Sequence, residues 1–170
     1  MAMFSFKNLR VRYRGLSLLN LAGVSISLIA IATLLAIAQR PANAQQDAFR
    51  RAVELSQAGK PHDAELAWRQ LALSHPQNTE VHLGLGAALA QQDNLAGAAR
   101  EYRKALALNP NLRGVSFNLG LAEFKQGHFA AAIKPLTAAA KENPQDKRSS
   151  LLIGMSYFGL HDYGKAVPFL

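Results

Sequence analysis

The sequence contains no cysteine among its 170 residues. This absence excludes disulfide bonds, thiolate metal ligands and a cysteine nucleophile. It also excludes bacterial lipoprotein processing, because that route needs a cysteine to acylate. Export remains possible, since an exported protein can fold without disulfides.

Acidic residues are missing from the first 44 residues, where the charged side chains are Lys7, Arg10, Arg12, Arg14 and Arg40. The other 126 residues contain fourteen of the nineteen Lys and Arg and all eleven Asp and Glu, a net charge of +3. The high isoelectric point therefore comes mainly from the N-terminal stretch. A domain whose positive and negative charges are so nearly balanced lacks the cluster of basic residues that binds the phosphate backbone of a nucleic acid. We therefore expect no nucleic-acid partner.

The basic N-terminal stretch precedes an uncharged, apolar run over residues 15–39. Ala42-Asn43-Ala44 follows, with small residues at the −3 and −1 positions of a cleavage site before Gln45. A basic region, an apolar region and a small-residue cleavage site are the three parts of a secretory signal. The pattern therefore predicts one apolar helix within residues 1–44 that is removed after export.

An uncleaved membrane anchor is the alternative for the same segment. Residues 16–38 would cross a hydrocarbon core of about 30 Å at about 1.5 Å per residue. The basic residues before them would then stay in the cytoplasm. Under either alternative the rest of the chain lies outside the cytoplasm, exported, periplasmic or anchored to the cytoplasmic membrane. Membrane contact is expected only through this N-terminal segment.

From residue 45 onward the sequence repeats with a period of 34 residues. Three residue types keep this register: Pro76, Pro110 and Pro144; Gly86, Gly120 and Gly154; and Ala64, Ala98, Ala132 and Ala166. Each unit contains a predicted first helix, a short turn and a second helix that ends before a proline, which cannot continue it. The predicted units are 45–78, 79–112, 113–146 and an incomplete 147–170. Such a period is typical of an all-α solenoid.

Two small residues in each unit have an expected packing role. The glycine at repeat position 8 should let the first helix approach the second closely. The alanine at position 20 should be the small residue opposite it, and a bulkier residue at position 24 should fill the space between repeats. Apolar residues three and four apart on each helix supply the buried face.

The third unit resembles a tetratricopeptide repeat at nearly every signature position, from Phe117-Asn118-Leu119-Gly120 through Phe124 to Ala132 and Pro144. The second and fourth units are similar to the same family, whereas the first has Arg51-Ala52 where Leu-Gly is usual. An atypical unit is expected at the end of a solenoid. The resemblance covers 126 of 170 residues. It implies a right-handed α-solenoid of antiparallel helix pairs that binds other proteins.

In this family the first helices line a concave groove, with positions 5, 9 and 12 facing the ligand. The matching residues here are Phe49, Val53 and Ser56; Leu83, Ala87 and Ala90; Phe117, Leu121 and Phe124; Leu151, Met155 and Phe158; with the polar neighbours Asn118, Lys125 and Arg148. Such an apolar groove suits an amphipathic helix or an apolar extended peptide. Phe124 is the sharpest expected probe, because the helix-pair contact should not require a phenylalanine near the helix end.

Two alternatives compete with ligand binding at this groove. A later helix of the same chain could cover it, or the side chains could pack among themselves. One specialisation is excluded: family members that hold chaperone C-termini use a Lys, Asn and Arg clamp, and Phe49, Val53 and Gly84 stand in its place.

No pattern of residues indicates catalysis. The histidines are His62, His75, His82, His128 and His161. No two of them share a helix face at a spacing of four beside a carboxylate, as zinc ligation would require. A glycine-rich phosphate loop, a nucleophile elbow and a pocket with paired carboxylates are also missing. We therefore expect that the chain is not an enzyme and that it binds neither a cofactor nor a metal.

Two functions fit these observations. The first is a protein–protein interaction scaffold that binds a peptide or helix. The alternative is the recognition arm of a longer enzyme whose catalytic domain lies beyond Leu170. Leu170 falls midway through a predicted second helix, and a solenoid needs a polar cap, so the sequence is expected to be a fragment.

Overall fold

The computed structural model describes residues 44–170, and the expected apolar helix of the N-terminal segment lies outside them apart from Ala44. The signal or anchor therefore stays a prediction. Over residues 44–170 the regular structure is entirely helical, without a strand. In that range no helix combines the length and the apolarity that a membrane crossing needs.

The described part of the chain contains seven helices of at least eleven residues and a short eighth. They are α1 (44–57), α2 (Pro61–Ser74), α3 (Thr79–Gln91), α4 (Leu95–Leu108), α5 (Val115–Lys125), α6 (Phe129–Glu142), α7 (Lys147–Gly159) and α8 (Tyr163–Ala166), followed by a 3₁₀ turn at Val167–Phe169. The expected all-α architecture is confirmed.

Each helix from α2 to α7 packs against the next one along the chain, and α7 also contacts α8. Connections of three to six residues join α2 through α8, so consecutive helices run antiparallel. A further contact joins α5 to α7, the first helices of successive units. Contacts restricted to near neighbours are those of an α-solenoid.

The second helices keep the 34-residue period without deviation, because they begin at Pro61, Leu95, Phe129 and Tyr163. Among the first helices, α5 begins late, at Val115. Asn78 and Asp146 cap α3 and α7 with side-chain oxygens, whereas Leu112 at the equivalent position has no oxygen to offer. Gly114 precedes α5 instead, with a φ of 79° that glycine tolerates.

The position-8 glycines lie beneath the large residue at position 24. A Cβ added at Gly86 would stand 2.7 Å from the Tyr102 ring, and one at Gly120 would stand 2.5 Å from Cγ of Leu136. The nearest atoms to these added Cβ positions belong to the position-24 residue and not to the position-20 alanine. The four alanines are at most 2% exposed, but the glycine leaves room for the bulkier neighbour, as close packing requires.

Candidate functional site

Residues predicted for the groove meet at one cavity of about 470 Å³. Leu83 of α3, Phe117 and Asn118 of α5, and Arg148 of α7 all line it. These helices are the first helices of three successive units. The solenoid therefore brings together side chains that are up to 65 residues apart in sequence.

Arg148 is held at the edge of this cavity by two neighbours. Its guanidinium carbon lies 4.8 Å from the centroid of the Phe117 ring, a distance at which a cation is attracted to an aromatic face. Its Nε donates to both carboxylate oxygens of Asp146, at 2.9 and 3.0 Å. The hydrogen bond from the Arg148 side chain is the main reason that the pKa of Asp146 is lowered. The cavity therefore combines apolar side chains such as Leu83 and Phe117 with charged ones of both signs, among them Arg148 and Asp146.

The apolar residues predicted on α7 are exposed to solvent. Leu151 is 49% exposed, Met155 43% and Phe158 58%. They follow one another at spacings of four and three, so they share one helix face. Their counterparts on α5, Phe117, Leu121 and Phe124, are half-buried. We call the cavity-lining residues Leu83, Phe117, Asn118 and Arg148, together with Leu151, Met155 and Phe158, the first-helix surface.

Several predicted residues contribute to packing within the solenoid. Phe49 of α1 meets Trp68 edge-on, with ring centroids 5.1 Å apart, and Val53 also packs against the core. Phe124 lies 5.5 Å from the Phe129 ring. Phe124 thus takes part in the contact between α5 and α6, a role that the sequence did not indicate. Ala87 is half-buried and Lys125 is exposed, and neither lines the cavity.

A family model described as tetratricopeptide repeat matches residues 49–112 and 117–170. The chain belongs to the tetratricopeptide repeat family. Its fold is also similar to solved structures of MamA. MamA 41-end from Desulfovibrio magneticus RS-1 is 23% identical with a TM-score of 0.69, covering 74% of this chain and 71% of that one. A crystal structure of MamA is 22% identical with a TM-score of 0.70, covering 82% of each chain. No curated protein matches the sequence.

The tetratricopeptide repeats also contain a buried polar cluster that the sequence did not indicate. His82, 5% exposed, lies with Nδ1 2.7 Å from Oε2 of Glu101 and Nε2 2.9 Å from the Pro76 carbonyl oxygen. Lys104 donates to the other oxygen of Glu101 at 2.8 Å. In the next repeat, Glu123 is 2% exposed and pairs with Arg103 and His128.

These pairs join neighbouring helices of the repeats. Their partners are 19 and 20 residues apart in the pairs His82–Glu101 and Arg103–Glu123. Only the rotation of each helix about its axis decides whether such side chains meet, so periodicity alone could not reveal them. Across residues 44–170 no group of three or more His, Asp or Glu side chains could hold a metal ion. The hydrogen bonds of these pairs connect α3 to α4 and α4 to α5.

Acid should weaken the repeats through Glu101. Burial opposes its ionisation, but hydrogen bonds and charges from Lys104 and His82 together outweigh burial, so the pKa of Glu101 lies below its ordinary value of 4.5. A carboxyl group with a lowered folded-state pKa adds stability above its unfolded pKa and loses that stability as the pH falls through the folded value. We therefore expect the wild type to lose stability below about pH 4.5 more steeply than Glu101→Gln.

Urea unfolding followed by circular dichroism over a pH series measures this difference. Glu80→Gln, at an exposed carboxylate of α3, is the matched control and should keep the wild-type slope. An unchanged slope for Glu101→Gln would show that its ion pairs do not stabilise the folded chain.

Proposed function

We propose that this tetratricopeptide chain is a scaffold that binds a peptide or helix of a partner protein on its first-helix surface. The observation that carries the proposal is the shared cavity, to which three successive first helices contribute predicted groove residues. Family membership supports an interaction role. Residues 1–44 would direct the repeats out of the cytoplasm, as the sequence pattern predicts.

The chemistry of the surface favours an apolar segment of the partner. Leu151, Met155 and Phe158 form an exposed apolar row on α7. Contiguous exposed apolar side chains with polar residues at their edge mark interaction sites. An amphipathic helix inserts anchors at matching spacings, and an extended peptide places alternate side chains into pockets. Arg148, beside Phe117, adds a donor for a carbonyl or carboxylate of the partner.

Site-specific photocrosslinking tests this surface in cells that produce the full chain. A photoreactive phenylalanine analogue at Met155 or Phe158 should crosslink one discrete polypeptide. The same analogue at Leu73, which is 84% exposed on α2 and outside the first-helix surface, should not. The crosslinked polypeptide is then identified by mass spectrometry.

Alanine variants measure the energetic role of the same residues toward that polypeptide. Phe117→Ala and Met155→Ala should each weaken binding by about tenfold or more, as truncation of a buried anchor does. Leu73→Ala is the matched control and should bind like the wild type. Crosslinking of the same polypeptide from Leu73, or full binding by both variants with unchanged helicity, would contradict the proposal.

A further inference from the structure

Two second helices, α4 and α6, carry a net positive charge. Helices α4 and α6 contain the cations Arg100, Arg103, Lys104, Lys134 and Lys141 and the carboxylates Glu101 and Glu142. Their net charge of +3 equals that of residues 45–170 as a whole. All five cations are exposed, whereas Glu101 is buried and Glu142 is half-buried. Arg103 and Lys104 are paired with Glu123 and Glu101, so Arg100, Lys134 and Lys141 are the exposed cations of these helices that remain to attract a partner.

A cavity of about 520 Å³ lies between these two helices. Its apolar wall is formed by Leu106, Pro110, Leu119, Ala131, Pro135 and Ala138. Arg103 and Lys134 are its cations, and its carboxylate, Glu123, is 2% exposed and already paired with Arg103 and His128. No residue of the first-helix surface lines it. We call α4, α6 and this cavity the second-helix surface.

Pro135 removes one backbone hydrogen bond from α6 beside the cavity. It lies inside α6, and proline has no backbone N–H. The carbonyl of Ala131, four residues earlier, therefore lacks the N–H that would complete the helical hydrogen bond at that turn. Ala131 and Pro135 both line the cavity.

We propose that the second-helix surface is a separate docking site for an acidic polypeptide segment that inserts an apolar side chain between α4 and α6. The exposed cations attract acidic residues and orient the encounter, while the apolar wall requires a side chain without charge. A nucleic acid would satisfy the cations but has no aliphatic group for the cavity. Its bases would also find no aromatic side chain among the lining residues to stack on.

Second helices α4 and α6 supply most of this site, and α5 supplies Ser116, Leu119 and Glu123. The two cavities share no lining residue. A chain that holds an apolar segment on its first helices and an acidic segment on its second helices joins two partners.

Fluorescence anisotropy with the purified full chain in non-ionic detergent tests the proposal. The probe is a short labelled peptide of Glu and Asp with interspersed leucines. The matched probe has alanine in place of each leucine. We expect the leucine probe to bind several-fold more tightly, because only leucine fills the cavity. Binding should weaken as salt is added, since exposed charges are screened.

Two pairs of variants distinguish the contribution of the surface cations to binding from the contribution of the apolar cavity. The double variant Lys134→Glu with Lys141→Glu should weaken binding of the leucine probe by about tenfold or more. Lys125→Glu with Lys147→Glu makes the same change of charge on the first helices and should have an effect below about twofold. Ala138→Phe should fill the cavity and remove the advantage of leucine over alanine, whereas Ala130→Phe, exposed on α6 outside the cavity lining, should preserve it.

The alternatives give different results in the same assay. Equal binding of both probes, or equal weakening by the two double variants, would show nonspecific attraction and overturn the proposal. Vesicles containing phosphatidylglycerol, or single-stranded DNA, are tested in parallel. Binding of either through Lys134 and Lys141 while the leucine probe fails to bind would assign the surface to another class of ligand.

Discussion

Replacing Trp68 with alanine is expected to lower the free energy of unfolding by about 3–5 kcal/mol, in the range for a large aromatic side chain lost from a core. Trp68 of α2 is 3% exposed and contacts α1 and α3. Its ring meets Phe49 of α1 edge-on at 5.1 Å and covers Gly84 of α3, where an added Cβ would stand 2.4 Å from Cε2. Its Nε1–H donates to Oγ of Ser56 at 3.0 Å. Truncation would open a cavity between the first two repeats.

Urea unfolding of the full chain followed by far-ultraviolet circular dichroism measures this loss. Trp68→Phe keeps an aromatic ring but loses the hydrogen bond to Ser56, and should cost less than the alanine variant. Leu73→Ala removes a side chain that is 84% exposed and should stay within about 0.5 kcal/mol of the wild type. A Trp68→Ala variant as stable as Leu73→Ala would show that this ring does not hold the first repeat to the second.

The sequence predicted the helices well because the signals that start and stop them are local. Prolines at a fixed interval end the second helices, and the turn residues lie between fixed helix starts. The late start of α5 could also have been read locally. Leu112 occupies the position where Asn78 and Asp146 supply caps, and a leucine cannot accept a hydrogen bond there.

The packing of the first repeat was harder to predict because it depends on a neighbouring unit. In the second and third units the large residue at position 24 covers the position-8 glycine of its own unit. The first unit has Ala52 at position 8, and its Trp68 covers Gly84 of the following unit. Gly84, which has no glycine at the equivalent place in the other units, was the signal in the sequence. Only a known arrangement of the helices connects it to Trp68, sixteen residues earlier.

The repeat positions assigned the candidate residues to the first helices, but they did not predict which of these side chains are exposed. Positions 5, 9 and 12 do lie along the first helices, yet Phe49 and Phe124 have aromatic neighbours in Trp68 and Phe129 that draw them into the helix contacts. On α7, Phe158 stays 58% exposed although it meets Tyr163 at 5.3 Å, because Tyr163 is itself 52% exposed. The exposure of an aromatic side chain thus depends on residues in adjacent helices, and the repeat pattern does not predict those contacts.

Gly120 is expected to tolerate no side chain, and Gly120→Leu should lower the free energy of unfolding by about 1–3 kcal/mol or more through overpacking. Even Gly120→Ala should destabilise the chain. Its Cβ would stand 2.5 Å from Cγ of Leu136 and 3.1 Å from the Leu136 backbone nitrogen. Leu136 is 0% exposed inside α6, so neither its side chain nor its backbone has free space to move into.

The direction in which Gly120→Ala changes the free energy of unfolding is informative. Within a helix, alanine is intrinsically more favourable than glycine by about 1 kcal/mol, so a loss of stability must come from the contact with Leu136. Gly164→Ala in α8 is the control, because nothing lies within 4 Å of its added Cβ, and it should be neutral or slightly stabilising. Urea unfolding of both variants gives the comparison. Hydrogen exchange should then show faster exchange mainly in α5 and α6, since repeats contact only their neighbours. If Gly120→Ala were as stable as Gly164→Ala, α5 and α6 would not approach each other as closely as the structure has them.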